Sequence, residues 1–436
     1  MCRFLVYKGS DEILLSKLIL DPSHSILKQS FDSRLRLDTR RGQNNADGFG
    51  IGFYTDPKLG SAPCLFTSTV PAWNCTNLQR IASKTASRLI YAHVRATTEG
   101  SLSEDNCHPF SHGSLMWMHN GGLGGWKYIK RRLSERLDDK WYLGVGGGTD
   151  SEWAFALFLD TLQRMGHDPS SIPEQGFGPT VLRKAMLKTI ALINEFIDDI
   201  PKSVIESENV DTRSLLNFAI TDGHSVICTR YVSSFTDEAA SLYYSSGTQW
   251  QERPSTAAAG TRDFHMERRD KGADIVLVAS EPLTFERENW VNVPTNSILT
   301  IHKQTVMVHP IIDKYYSPNP NHFRSSAYVQ AKGLTSNEKA PVQPSILPDL
   351  EGTHGKKSRG VALPLGARVY GSPPERLGSS PLSTGGRNTS GWLADHGSDE
   401  SSDTQGSESD EPERGEPGRN RAKVAQYFPE LTHNPR

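Results

Sequence analysis

The chain has 436 residues, with 48 Lys and Arg against 50 Asp and Glu, and 36% of it is hydrophobic. So even a charge balance leaves no basic excess to displace phosphate counterions, and composition makes no case for a nucleic-acid partner. No run of 18 apolar residues is present, which excludes an apolar helical membrane span.

Length is enough for two or three domains at about 100–200 residues each. The cysteines, Cys2, Cys64, Cys75, Cys107 and Cys228, are odd in number and scattered without a CxxC pair. They form neither a disulfide framework nor a zinc knuckle. The N-terminus has too short an apolar run for a signal peptide, so a cytosolic protein is expected.

In chain order, residues 3–7 read as a short strand and 12–20 as a helix stopped by Asp21-Pro22. Strand-like runs follow at 48–54 and 89–95, and another at 115–119 ends on the turn signal Asn120-Gly121-Gly122. The glycine run 144–148 lacks the Lys-Ser/Thr of a phosphate loop and reads as a mobile approach to the next helix. That helix spans 149–165, with Phe155, Phe158, Leu159 and Leu162 on one face. Over 179–200 a second stripe of Leu182, Ala185, Met186, Ile193, Phe196, Ile197 and Ile200 is interrupted only by Thr189. Residues 215–221 and 225–232 form a hairpin through Asp222-Gly223, and further strands are expected at 241–245, 275–279, 297–302 and 305–309. Residues 168–178 and 249–272 read as surface excursions.

Strands on both sides of a helical pair predict an α+β fold with two mostly antiparallel sheets. The pattern divides the chain into a domain at 2–310, a linker at 311–335 and a tail at 336–436. The tail holds 11 Pro, 13 Gly and 13 Ser, too little apolar surface to offset its ordering entropy, and is expected to be disordered. Its acidic, serine-rich run at 395–416 reads as a solvated spacer or as a phosphorylation cluster.

Chemistry is concentrated in the domain. Methionine aminopeptidases act when the second residue is small, so the mature chain is expected to start at Cys2. A terminal cysteine joins a thiol nucleophile to an α-amine of pKa about 7.7–8.0. That amine can take the thiol proton directly or through one water. Three further segments stand out: His93-Val94-Arg95-Ala96-Thr97-Thr98-Glu99-Gly100, His119-Asn120-Gly121 and Gly148-Thr149-Asp150-Ser151-Glu152. Singly, each has an ordinary reading. Arg95 can be a surface arginine, Asn120-Gly121 a hairpin turn, and Asp150 a helix cap.

Together and in this order, with Arg41-Gly42 and Asp47-Gly48 ahead of them, these segments resemble the class II glutamine amidotransferases, N-terminal-nucleophile hydrolases with a terminal cysteine. The resemblance covers roughly residues 2–310. It implies a four-layer αββα sandwich and a nucleophile at Cys2. It also implies an oxyanion hole from the Asn120 side chain and the Gly121 N–H. Arg95 and Thr98 would bind the α-carboxylate of a γ-glutamyl substrate, with Asp150 on its α-ammonium; no cofactor or metal is implied. An arginine fork suits a carboxylate in a way lysine does not. The pattern departs from the best-known members at Ala96 and Glu99, where those have Trp and His.

The opening MCRFLVYKG and Cys107-His108-Pro109-Phe110 are similar to a narrower branch of γ-glutamyl hydrolases of thiol metabolism. That branch includes the fungal amidotransferase-like subunit of the cytosolic glutathione-degrading complex, whose partner is a metallopeptidase-like subunit. Glutathione and glutamine are the substrates this implies. No acceptor domain for ammonia is legible behind the body, so hydrolysis is the simpler expected outcome. Cys107, His108, His112 and His119 fit no standard zinc spacing.

Overall fold

The computed structural model describes residues 2–31, 45–96, 101–253, 263–269, 273–284, 287–319, 322–334 and 336. The expected tail beyond Ser336 lies outside these residues, as do Thr98, Glu99 and Arg41-Gly42. In order, the elements are β1 (Arg3–Leu14), α1 (Ser16–Ile19), α2 (Ile26–Phe31), β2 (Phe49–Phe53), β3 (Cys64–Ser68), α3 (Thr76–Ala82) and β4 (Ala86–Val94). Next come β5 (Phe110–His112), β6 (Leu115–Gly122), α4 (Trp126–Arg136), α5 (Asp139–Leu143), α6 (Asp150–Arg164), α7 (Pro179–Asp198) and α8 (Lys202–Ser207). The chain then returns to strands: β7 (Leu215–Thr221), β8 (Ser225–Arg230), β9 (Tyr243–Gly247), β10 (Gln249–Glu252), β11 (Phe264–Glu267) and β12 (Ile275–Ala279). It closes with β13 (Val291–Asn292), β14 (Ser297–His302), β15 (Thr305–Pro310) and α9 (Ala327–Ala331).

Two large antiparallel sheets result among the described residues, one ordered β13-β9-β12-β1-β4-β2-β3 and the other β15-β14-β8-β7-β6-β5, beside a two-stranded β10-β11 ribbon. The period-2 alternation of each strand sorts its side chains between two cores. Leu5, Tyr7, Ile90 and Ala92 face outward from the first sheet onto Leu18, Ile26 and Leu78 of α1, α2 and α3. Phe4, Val6, Leu89, Tyr91, Val276 and Val278 face inward and meet Met116, Met118, Ala219, Cys228 and Leu299 of the second sheet. On the far side of that sheet, Trp117, Phe218 and Ile227 pack on Phe155, Phe158, Leu182 and Ile193 of α6 and α7. Trp117 stacks on Phe155 at 5.7 Å and leans on Phe218 at 4.5 Å. The layers are therefore helix, sheet, sheet, helix, the αββα sandwich of an α+β protein.

Three local expectations are corrected. The helix expected from residue 12 begins only at Ser16, because Ile13 and Leu14 pair with Ser87 and Ala86 beyond a bulge in β1. The stretch from 249 is not a plain excursion: β10 and β11 pair, and Trp250 stacks on Phe264 at 5.7 Å within the outer core. The 311–335 segment does not behave as a linker. Ile311 joins the α6–α7 core, and Tyr328, Val329 and Leu334 pack on Leu215, Val232, Ala239 and Ala240. Arg324 pins this segment through the carbonyls of Asp237 (3.0 Å) and Tyr315 (2.7 Å).

Ending the chain at Ile311 is therefore expected to lower Tm, with each large apolar side chain lost costing about 1.5–3 kcal/mol of burial. A truncated chain that melted like the full one would return 311–335 to the status of a linker.

Candidate active site

Four strands of the sandwich end on polar residues that continue an inward-facing apolar series. In β1, Phe4 and Val6 face the inter-sheet core, which puts Cys2 on the same side. The series Leu89, Tyr91 in β4 leads to His93 and Arg95; Met116, Met118 in β6 leads to Asn120; Val276, Val278 in β12 leads to Ser280. Antiparallel register brings these ends together, since Arg3 lies opposite Val94 and Leu5 opposite Ala279.

Hydrogen bonds fix the cluster. Cys2 Sγ lies 3.6 Å from the Ala96 carbonyl. Arg3 donates to the Cys2 carbonyl at 3.0 Å while its Nε pairs with buried Glu281, whose carboxylate also lies 3.7 Å from His24. Ser280 Oγ accepts from the Phe4 N–H at 3.0 Å and from Asn120 Nδ2 at 3.3 Å. The Asn120 Oδ1 is buried without a partner. Arg95 is also buried, and its guanidinium reaches the carbonyls of Ser101 at 3.4 Å and Asp47 at 3.5 Å.

Asp150 opens α6 but does not cap it. Thr149 is the cap, its hydroxyl accepting from the Glu152 N–H at 3.4 Å. Asp150 Oδ2 is free to accept from the Leu123 N–H at 2.8 Å, which ties α6 to the chain leaving the Asn120-Gly121 turn. The glycine run ahead of it is pinned rather than mobile. Gly146 and Gly147 donate to the Glu152 carboxylate at 2.9 and 2.7 Å, and Gly148 to Asn106 at 3.0 Å. At Gly121 a side chain has no room, because a Cβ there would sit 1.8 Å from the Leu215 carbonyl oxygen.

One cavity of about 450 Å³ is lined by Cys2, Arg95, Gly121, Asp150 and His108, and it extends past Leu123 to Lys127. Asn120 sits one residue behind its wall, and Thr98 falls outside the described residues. Sequence reasoning had no role for Ser280, Arg3, Glu281 or His108. The first could have been found by following the alternation of 276 and 278 one step further.

The four residues weighed as a metal set diverge. Cys107 Sγ contacts the Ser68 and Ser103 carbonyls, His112 meets Ser170 at 2.9 Å, and His108 Nδ1 meets His93 Nε2 at 2.8 Å. His119 Nε2 lies 3.0 Å from the Leu215 carbonyl, so it carries the proton, and Nδ1 accepts from the Ser151 hydroxyl at 2.9 Å. Among the described residues no cluster of His, Cys, Asp and Glu is arranged to hold a metal ion.

Burial holds these imidazoles neutral: it pushes His93 down to about 3 and lowers His108 and His119 as well. Their folded pKa values lie below the unfolded value of about 6.5, so between the two the unfolded chain binds more protons. Stability from these groups is complete above that value and is lost as pH falls below it through each folded value, about 3 for His93. Each adds a slope of up to about 1.4 kcal/mol per pH unit. Urea unfolding at pH 7.5, 6 and 5 is expected to show a falling midpoint. An unchanged midpoint would argue against buried neutral imidazoles.

The facing sheets lie between helical layers in an αββα sandwich. The chain belongs to the class II glutamine amidotransferase family. Residues 18–192 match that family, a span that contains Arg95, Asn120, Gly121 and Asp150 and begins after Cys2. The probable glutamine amidotransferase DUG3 of Saccharomyces cerevisiae is 52% identical over 336 residues, 77% of this chain and 91% of that protein. The γ-glutamyl-hercynylcysteine sulfoxide hydrolase of Mycobacterium tuberculosis is 34% identical over 122 residues, 28% of this chain and 49% of its own. Among solved structures, a glutamine aminotransferase class-II domain protein of Silicibacter pomeroyi superimposes with a TM-score of 0.43 at 23% identity, covering 71% of this chain and 99% of that one. No helix among the described residues is long and apolar enough to cross a membrane.

Proposed function

We propose that this protein hydrolyses γ-glutamyl amide and peptide bonds, with glutathione as the substrate, through a γ-glutamyl thioester on Cys2. The observation that carries the reading is the single cavity lined by Cys2, Arg95, Gly121 and Asp150. Once Met1 is removed, the Cys2 α-amine takes the thiol proton and the sulfur attacks the γ-carbonyl carbon. Asn120 and the Gly121 N–H stabilise the oxyanion that forms. Collapse expels the leaving amine, which takes the proton from the α-ammonium of Cys2, and water then resolves the thioester to glutamate. Arg95 and Asp150 hold the α-carboxylate and α-ammonium of the glutamyl head, and Thr98 adds a bond to the carboxylate. A cytosolic metallopeptidase-like subunit is the partner that would consume a dipeptide leaving group. The name of the mycobacterial relative, a γ-glutamyl hydrolase, supports the reaction type.

Incubation with glutathione and with glutamine, alone and with such a partner, tests the reading. Release of glutamate from glutathione supports it. Turnover of glutamine alone, coupled to amination of an acceptor, would point to an ammonia-supplying amidotransferase. Failure of Cys2 to react with a glutamine-analogue electrophile would point to a silent sensing subunit.

Arg95→Lys and Asp150→Asn are expected to raise KM about tenfold to a hundredfold, the range for a lost charge-assisted hydrogen bond. Either variant with an unaltered kcat/KM would remove that residue from substrate binding.

A further inference from the structure

The cavity is larger than a γ-glutamyl head requires, and its far end carries charges that the proposed chemistry does not use. Its wall can be followed from the nucleophile outward. Beyond Gly121, Gly122 lies opposite Leu215, Gly124 donates to Ser214 Oγ at 2.8 Å, and Gly125 donates to the Asp211 carbonyl at 2.9 Å. There α4 begins, and Trp126, Lys127 and Tyr128 line the cavity together with Arg213 and with Tyr328 and Lys332 of the α9 segment.

The cations there differ in how they are engaged. Arg213 and Lys332 both bind the Asp211 carboxylate at 3.0 Å, and Arg213 stacks over the Tyr328 ring at 3.7 Å. Lys127 is exposed; its Nζ lies 5.4 Å from the Tyr128 ring centre, and it has no carboxylate within ion-pair distance among the described residues. Arg213 also lies 3.4 Å from the Asp237 carboxylate, so Arg213 and Lys332 are matched by Asp211 and Asp237, whereas Lys127 has no ion pair among the described residues. The first turn of α4 adds the positive end of a helix dipole.

Resting on the hydrolase reading above, we propose that this end of the cavity is a subsite for a carboxylate on the leaving group, with Lys127 as its counter-ion. The substrate class is then a γ-glutamyl peptide whose leaving amine ends in a free carboxylate, not a simple γ-glutamyl amide. The chain leaves β6 at Gly122 and turns at Gly124 and Gly125, so a short connection carries Lys127 from the Gly121 turn to the lining of the same cavity. Its flexible four-carbon stem lets the ammonium meet a carboxylate at the end of a leaving group. Glu208, also in the cavity lining, opposes binding of an anion, which gives the subsite a variant of opposite sign.

The test compares glutathione with its C-terminal amide, which differ only in the carboxylate, using the full-length chain. Wild type is expected to favour the acid about tenfold in kcat/KM, the effect of one charge-assisted bond at a partly exposed site. In Lys127→Gln the ratio is expected to fall toward one, and in Glu208→Gln to rise. A purely structural role for Lys127 would lower both substrates together and leave the ratio alone. If wild type cleaves acid and amide equally, or Lys127→Gln keeps the preference, the subsite is wrong while the hydrolase reading stands. If wild type releases glutamate from neither, the hydrolase reading fails and this inference with it.

Discussion

Cys2→Ala is expected to cut kcat on a γ-glutamyl substrate by at least about a thousandfold, as removal of an attacking nucleophile does. Tm should move little, because Cys2 is only half-buried and, among the described residues, its sulfur makes one hydrogen bond, to the Ala96 carbonyl at 3.6 Å. Cys2→Ser keeps the shape and is still expected to lose most turnover, since a hydroxyl at its free pKa is a far weaker nucleophile. The same chemistry makes a demand on processing. A retained Met1 would lock the Cys2 nitrogen into a peptide bond and remove the base, so the intact mass of active protein should lack Met1. Full activity in Cys2→Ala, or in protein shown to keep Met1, would falsify the mechanism.

Asn120→Ala is expected to lower kcat by about 10²–10³ while KM changes much less, the pattern for a donor that bonds best in the transition state. The local network favours this role. With Nδ2 on Ser280 Oγ at 3.3 Å, the Ser280 oxygen accepts from two donors and Asn120 Oδ1 is left buried and unpaired. A buried unpaired amide atom costs about 1–3 kcal/mol. Turning the amide through half a revolution lets Oδ1 accept the Ser280 hydroxyl proton and leaves Nδ2 as the uncommitted donor. An oxyanion at the adjacent cavity wall would then complete the network. If kcat and kcat/KM of Asn120→Ala matched wild type, the oxyanion donor would have to be sought elsewhere.

Much of the sandwich is legible in the sequence because its strands bury both faces. The runs at 3–7, 115–119 and 275–279 and the stripes of α6 and α7 leave little choice of structure. The errors share a cause, which is that long-range pairing overrides local pattern. Residues 12–14 have an acceptable helical spacing, but Ser87 and Ala86 stand opposite them and the ladder wins. Trp250 and Phe264 are separated by a polar stretch and become core by stacking on each other and joining the outer core, where Trp250 also meets Trp290. Tyr328, Val329 and Leu334 are too few to announce a packed element, and Leu215 and Val232, a hundred positions earlier, supply the surface that buries them.

The site divides in the same way. Cys2, Arg95, Asn120-Gly121 and Asp150 stand out as residue types in order, which is information the chain carries by itself. Their convergence is not. It depends on the register that sets Arg3 against Val94 and Leu5 against Ala279, and on the Asp150 carboxylate reaching the Leu123 N–H. Ser280 bonded to Asn120, the neutral His93–His108 pair, and the lining that Lys127 shares with Arg213 and Lys332 were likewise decided by tertiary structure alone. A single chain states which side chains are available at each strand end, but only the packing of two sheets determines which ends share a cavity, because burial and hydrogen-bond partners are properties of neighbours in space.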